Sequence, residues 1–360
     1  MMRSPLAITG CTLLTPLDGV RASDDRPLDT WEAIRRGRRV EGPRSAVAGE
    51  FLAGPPAWDR SIRLACCAAQ RVISQPPSSQ ETALFCGTSK GPAGTLLGLL
   101  ESLTPDEMPT LEAAQQVMLG VGAMGAILGD YLGIRRVHTS VAACASGVFA
   151  LHQAAQAIWR GEIARAVVIA ADASLHPLFE GSFARLGVLA PLDEDGNRRC
   201  DPFAEEGRGF FLSEAAAAVV LEAEPTNAPL GFLESTWLGG DGAHLIAADP
   251  RADSLRRGLA ASIADANPAF IHAHAPGTAH DAHELAAIRA VAGDAPHVFS
   301  SKRYLGHSLG AAGLVSVALS ALCHHHRQTL AGEPIPDRST SLTIAQGFGG
   351  HLGIVRLRSA

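Results

Sequence analysis

The chain has 360 residues, 47% of them apolar and 18% charged, enough to bury one large core or two related ones and inconsistent with a disordered or fibrous protein. A formal net charge of -6 with scattered basic residues argues against a polyanion-binding surface, so nucleic acid is not an expected partner. The longest charge-free apolar stretch, Ser308 to Cys323, is shorter than the roughly 18 residues a membrane span needs and is diluted by Gly, Ala and Ser.

In chain order, the N-terminal apolar run is broken by prolines and threonines and reads as a strand, Leu6 to Gly10, with a turn rather than a cleaved leader. A helix over Trp58 to Ile73 and a strand over Ala83 to Cys86 follow. Gly87 to Gly91 lacks the spacing of a phosphate loop. Val137 to Ser140 leads into a small-residue turn at Cys144 and an apolar helix, Ala145 to Gly161. Strands are then expected at Ala166 to Ala171, Ala216 to Leu221, Phe270 to His274, Val298 to Ser301 and Gly353 to Leu357. Helices are expected at Asp253 to Asn267, Asp281 to Val291 and Leu309 to His326. Gly54-Pro55-Pro56, Gln75-Pro76-Pro77 and Ala331 to Pro336 read as surface turns.

The alternation implies an α/β protein with its sheets covered on both faces. The helices after Cys144 and His307 are apolar nearly all round, the mark of central helices held between layers. Val137 to Ser140 with its turn and helix is repeated in design by Val298 to Ser301, Gly306-His307 and the next helix. Two similar halves are therefore expected, residues 1–226 and 227–360, divided near Pro225 to Pro229.

Seven cysteines, an odd number with no CxxC pair, suggest neither a disulfide framework nor a zinc ribbon and favour a reducing cytoplasm. Cys144, in Ala143-Cys144-Ala145-Ser146-Gly147, stands where a strand gives way to a helix, and backbone N–H groups there favour a thiolate nucleophile. The plainer alternative is an inert buried cysteine. His272 and His274, with His280, Asp281, His283 and Glu284 close behind, allow either a metal site or a single acid–base group at His274. His272, His280 and His283 otherwise read as ordinary histidines. Only two of the 30 basic residues are lysines, Lys90 and Lys302, so each asks for a reason. Lys302 precedes His307 by five residues, and a cation beside that imidazole would keep it neutral and able to donate to an oxyanion. Gly347-Phe348-Gly349-Gly350 offers a flexible turn with backbone donors. His324 to His326 read as a helix end, where imidazolium suits the dipole.

In order and across nearly the whole chain, these motifs resemble those of the β-ketoacyl-acyl-carrier-protein synthases of the thiolase-like superfamily, the elongating kind with a Cys-His-His triad. Ala143 to Gly147 matches the nucleophile motif, His274 with Gly277-Thr278 the first histidine turn, Lys302 to Gly313 the second, and Gly347 to Gly350 the glycine turn. The resemblance implies a thiolase-like fold of two α/β halves in five layers, αβαβα. It implies that Cys144 takes an acyl chain from the phosphopantetheine of an acyl carrier protein, and that His274 and His307 assist decarboxylation of a malonyl-type thioester. Lys302 and Glu284 would orient the histidines; Cys144 and Phe348 would supply oxyanion donors, with Phe348 and Gly349 in the gate. Neither a metal nor a redox cofactor is implied. A dimer is, either with itself or with a ketosynthase paralogue.

The chain departs from that pattern in places. Ala275-Pro276 stands where the family usually has glycine and threonine, and the stretch to Asp281 is one residue short. Gln346 replaces a usual aromatic and His351-Leu352 the usual Thr-Asn, while the chain is shorter than a typical member. These changes suggest polyketide or polyene rather than housekeeping fatty-acid synthesis. They also admit a weakly catalytic or non-catalytic partner subunit similar to the chain-length factors, whose members usually lack the cysteine. A metal-dependent hydrolase built on His272 and His274 is a third reading.

Overall fold

Hydrogen bonding between the apolar runs builds a ten-stranded sheet in a computed structural model that describes residues 4–19, 28–73, 81–102, 113–225, 227–263 and 267–360. The strands are β1 (Leu6–Leu14), β2 (Arg44–Ser45), β3 (Thr82–Gly87), β4 (Arg136–Ser140), β5 (Arg165–Asp172), β6 (Leu212–Ser213), β7 (Ala215–Glu222), β8 (Gly231–Gly240), β9 (Phe270–His272), β10 (His297–Phe299), β11 (Thr340–Gly347) and β12 (His351–Arg358). The helices are α1 (Thr30–Arg35), α2 (Arg60–Val72), α3 (Ala93–Ser102), α4 (Ala113–Met118), α5 (Ala123–Leu132), α6 (Ser146–Trp159), α7 (Pro177–Arg185), α8 (Asp253–Ile263), α9 (Asp281–Ala292), α10 (Lys302–Leu305) and α11 (Ala312–His326). The turn expected at Gln75-Pro76-Pro77 lies outside the described residues, as does part of the expected end of α8.

The sheet order is β10-β9-β11-β12-β8-β1-β7-β5-β3-β4, with β2 and β6 forming a separate pair. Read outward from the middle, each side has the same plan. β3 pairs in parallel with β4 and β5, as β9 does with β10 and β11. β5–β7–β1 and β11–β12–β8 are antiparallel. The two sides meet where Leu6 to Ile8 pairs with Leu233 to Gly231, and the pairing stops there.

α6 and α11 pack on each other and on strands of both sides, which is why both helices are apolar on nearly every face. α2 and α5 cover the outer face of one side, and α8 and α9 that of the other, each over its own buried cluster. The layers are therefore helix, sheet, helix, sheet, helix. α2 begins where its sequence says it should: the Asp59 carboxylate caps it by accepting the Ser61 N–H at 2.8 Å.

Two long strands, β8 and β11, go beyond the sequence expectation. β11 buries Ser341 and Thr343 completely, and these pair with α11 through His324 to Ser341 (2.8 Å) and Ser320 to Thr343 (3.0 Å). A strand that buries hydroxyls against matching polar groups carries no apolar alternation to read.

Candidate active site

β4 ends at Ser140, and the chain must turn sharply to start α6. Ala143 adopts φ 47°, and the Ser146 hydroxyl braces the turn by accepting the Ala142 N–H (2.9 Å) and donating to the Ala143 carbonyl (2.6 Å). Cys144 sits at this elbow, 9% exposed. The thiolate expected from a helix start is not its resting form, because burial pushes the thiol up to about 12, with Lys302 pulling it down and Asp172 pushing it up. Behind it runs Gly347, where an added Cβ would stand 2.7 Å from the Ala142 carbonyl and 3.0 Å from the Cys144 nitrogen.

His274 follows β9 and is held through its backbone. The Glu284 carboxylate accepts the N–H groups of His274 and Ala275, both at 2.8 Å, and the Lys302 ammonium donates to the His274 carbonyl at 2.5 Å. Pro276 removes one donor from the turn, which is fixed instead by Gly277 N–H to Asp281 (2.9 Å), Gly209 N–H to the Gly277 carbonyl (2.6 Å) and the Cys200 thiol to the Pro276 carbonyl (3.1 Å). His307 exchanges backbone hydrogen bonds with Phe211 and Ser213 (2.9 and 3.2 Å), and its ring meets the Phe210 ring edge-on at 4.9 Å. Gly306 before it has φ 69°, and a Cβ there would lie 2.3 Å from the Phe211 ring.

The two rings meet with centroids 5.5 Å apart and planes at 79°. Burial holds both well below the ordinary histidine value, and the Lys302 charge adds to this, so both are neutral at physiological pH. Burial also raises Glu284, to about 7, against the hydrogen bonds and the Lys302 charge, and it lowers Lys302 against the attraction of Glu284.

Cys144, His274 and His307 face one cavity of about 460 Å³, lined also by Phe183, Phe210 and Phe348. Phe348 stacks on Phe183 at 6.2 Å. The Gly349 N–H is taken by the Leu245 carbonyl at 2.8 Å, so Gly349 shapes the turn and leaves Phe348 as the donor candidate there. His272 is locked between Ser320 (3.1 Å) and Ser301 (3.0 Å) on its two ring nitrogens, and burial lowers it to about 3. Neither nitrogen is open to a metal. Among the described residues, no group of three His, Cys, Asp or Glu is arranged to hold one.

His280 and His283, ordinary histidines in the sequence reading, line the cavity with His351 and Gln346. One further sequence reading changes. At the end of α11, burial lowers His324 to about 4, so it is a neutral partner of Ser341 and not an imidazolium serving the dipole. Asp172 was not singled out at all. At the end of β5 it accepts the Ser89 N–H and hydroxyl (2.9 and 2.7 Å), the Ser174 hydroxyl (2.8 Å) and the Gly310 N–H (3.0 Å). An acid directly after the apolar run of β5 was the one signal available.

The family models for the β-ketoacyl synthase N-terminal and C-terminal domains match residues 48–227 and 230–331. The chain belongs to the β-ketoacyl synthase family. It is 27% identical to the 3-oxoacyl-[acyl-carrier-protein] synthase 2 of Mycobacterium leprae over 74% of this chain and 71% of that protein. The corresponding synthase of Mycobacterium tuberculosis (strain H37Rv) is 29% identical over 60% of this chain, a match that spans 59% of that relative's length. The protein assigned as β-ketoacyl synthase 1 for the oxytetracycline polyketide in Streptomyces rimosus is 26% identical over 96% of this chain and 95% of its own. Among solved structures, the ishigamide ketosynthase/chain length factor superposes with a TM-score of 0.83 at 22% identity, covering 99% of this chain and 100% of that one. A type II PKS acyl-carrier protein in complex with its ketosynthase gives 0.81 at 20%, covering 100% of each chain. The fold of this family member is thus the thiolase-like five-layer arrangement, and relatives of this class are acyltransferases.

Proposed function

We propose that the protein is a ketosynthase that joins an acyl-thioester to a malonyl-type thioester carried on acyl carrier protein, in polyketide-type biosynthesis. The observation that carries this reading is one cavity shared by a thiol at a strand–helix elbow and two neutral imidazoles. In the first half-reaction the Cys144 sulfur attacks the acyl carbonyl. Its proton passes through a neutral imidazole to the departing carrier thiolate, so a thiol with a raised pKa is a usable resting form. The Cys144 and Phe348 N–H groups are the oxyanion donors. In the second, the malonyl-type thioester loses carbon dioxide, and His274 and His307 donate hydrogen bonds to the enolate oxygen. The enolate carbon attacks the acyl-cysteine, the cysteine sulfur leaves and is reprotonated, and a β-ketoacyl thioester remains on the carrier. Neutral rings suit this step because they stabilise the oxygen without readily protonating the carbon. Glu284 and Lys302 act through the His274 backbone.

The partners that go with this reading are an acyl carrier protein and a second ketosynthase-type chain, identical or paralogous. A second reading, a chain-length-factor-like subunit of low activity, is favoured by Pro276 within the first histidine turn. Intact-mass spectrometry separates the two. Incubation with acyl-loaded carrier protein is expected to add one acyl group to the wild type and none to Cys144→Ala. No acylation of the wild type by any donor, with co-purification of a ketosynthase paralogue, would establish the second reading instead.

A further inference from the structure

His274 takes its place in the cavity from its backbone, because no hydrogen bond among the described residues holds its ring. The turn that carries it, residues 274–278, is pinned group by group. Glu284 accepts the N–H groups of His274 and Ala275, and Asp281 accepts those of Gly277 and Thr278 (2.9 and 3.2 Å). Lys302 donates to the His274 carbonyl, and the Gly209 N–H to that of Gly277. For the Pro276 carbonyl, the donor among the described residues is the Cys200 thiol, at 3.1 Å.

That carbonyl belongs to the weakest unit of the turn. Pro276 has no N–H with which to anchor itself, and Gly277, at φ 87°, belongs to the one residue type that accepts either sign of φ. The peptide between them can therefore turn over at little steric cost. Asp281 holds the N–H of this peptide and Cys200 its C=O, two ends of one rigid plane. The cysteine is 2% exposed, and a Cβ on Gly277 would lie 3.2 Å from its sulfur, so the thiol is seated against the glycine it steadies. Burial raises the thiol pKa, which keeps the donated proton in place. Phe203 and Gly209 bind the same turn through their N–H groups, to the Asp281 carboxylate (3.1 Å) and the Gly277 carbonyl, so the segment that presents Cys200 is itself fastened there.

We propose that Cys200 is a positioning residue for His274: its thiol, by donating to the Pro276 carbonyl, fixes the orientation of the Pro276–Gly277 peptide and so the place of the His274 ring in the cavity. The hydrogen bond supplies from outside the turn the support that a proline nitrogen does not give. His274 is two residues from that carbonyl, and a peptide turned over there would move the ring away from the reacting oxygen. This inference rests on the ketosynthase reading above, which supplies the step in which His274 acts.

The test separates the donated proton from the space the side chain fills. Decarboxylation of the malonyl thioester of N-acetylcysteamine is followed in the full chain and in three variants, with thermal melting alongside. Cys200→Ser keeps a donor, Cys200→Val fills the space without donating, and Cys200→Ala does neither. The valine and alanine variants are expected to lose about tenfold in kcat with KM unchanged, the order expected when one neutral hydrogen bond is lost and a reacting group is slightly misplaced. The serine variant is expected to stay within about threefold of the wild type, because its hydroxyl restores the bond. Should the alanine variant not fold, the valine variant carries the same comparison. A valine variant as active as the wild type, with loss in serine and alanine, would make Cys200 a packing residue and overturn the proposal; so would wild-type rates in all three. A wild type that neither decarboxylates this thioester nor takes an acyl group overturns the ketosynthase reading itself, an outcome distinct from both.

Discussion

Ala143 holds a left-handed backbone conformation at φ 47°, which costs a residue with a Cβ roughly 1–2 kcal/mol and is maintained by the surrounding contacts. Those contacts are the Ser146 hydroxyl on one side and Gly347 on the other. Gly347→Ala would push a methyl group against the Ala142 carbonyl and the Cys144 nitrogen, so the elbow must shift. The expected result is acyl-enzyme formation slowed roughly 10- to 100-fold with the fold retained, since small misplacements of a reacting group carry penalties of that order. Stopped mass measurements against thermal melting check it, and a wild-type rate would contradict it. Cys144 was legible as a candidate because small residues crowd round it in a strand-to-helix pattern. Its protonation state was not legible, because burial governs it first, and the charges that modify it, Lys302 and Asp172, are distant in sequence.

Asp172 shows how elements are tied round the site. Its carboxylate joins the loop after β3, the segment after β5 and the turn that leads from His307 into α11. Burial raises its pKa while these bonds lower it. Asp172→Ala would strand the N–H groups of Ser89 and Gly310, each at a cost of about 1–3 kcal/mol. The expected loss is therefore roughly 2–4 kcal/mol in urea-induced unfolding, with a smaller loss for Asp172→Asn, which keeps an acceptor oxygen. Equal stability of the alanine variant and the wild type would remove the clamp from the account. At this scale the helices expected from the sequence, α2, α6, α8, α9 and α11, were read within a few residues, since α6 and α11 are apolar on most faces and α2 carries its cap, while α3, α5 and α7 were not read. β8 and β11 were not, because β11 hides hydroxyls that only α11 satisfies.

The whole molecule acts on the site by excluding water from it. The two sides of the ten-stranded sheet and the central helices bury His274 and His307, and the Lys302 charge lies among them. Both effects disfavour the protonated ring, so each folded pKa lies well below 6.5. As pH falls through 6.5 the rings stay neutral, and the donors that the proposed mechanism requires persist. Decarboxylation of a malonyl-type thioester is accordingly expected to show no loss from ring protonation between pH 8 and about 6; any fall in that range belongs to Glu284, which burial raises to about 7, and is removed in Glu284→Gln. A single-proton acid limb centred at about 6.5 that persists in Glu284→Gln would mean at least one ring is exposed to water in the working enzyme.

The sequence by itself determined the α/β class, the repeated strand-to-turn-to-helix plan and the identity of the groups that share the cavity, because apolar periodicity and short motifs are local properties. The tertiary structure alone decided how those groups behave. Burial set the charge of Cys144, Glu284, Lys302 and the histidines. Packing drew Gln346, His280 and His283 into the cavity wall and made Asp172 a junction. Desolvation and hydrogen-bond completion depend on what surrounds a residue in space, and its sequence neighbours supply only a small part of that surrounding.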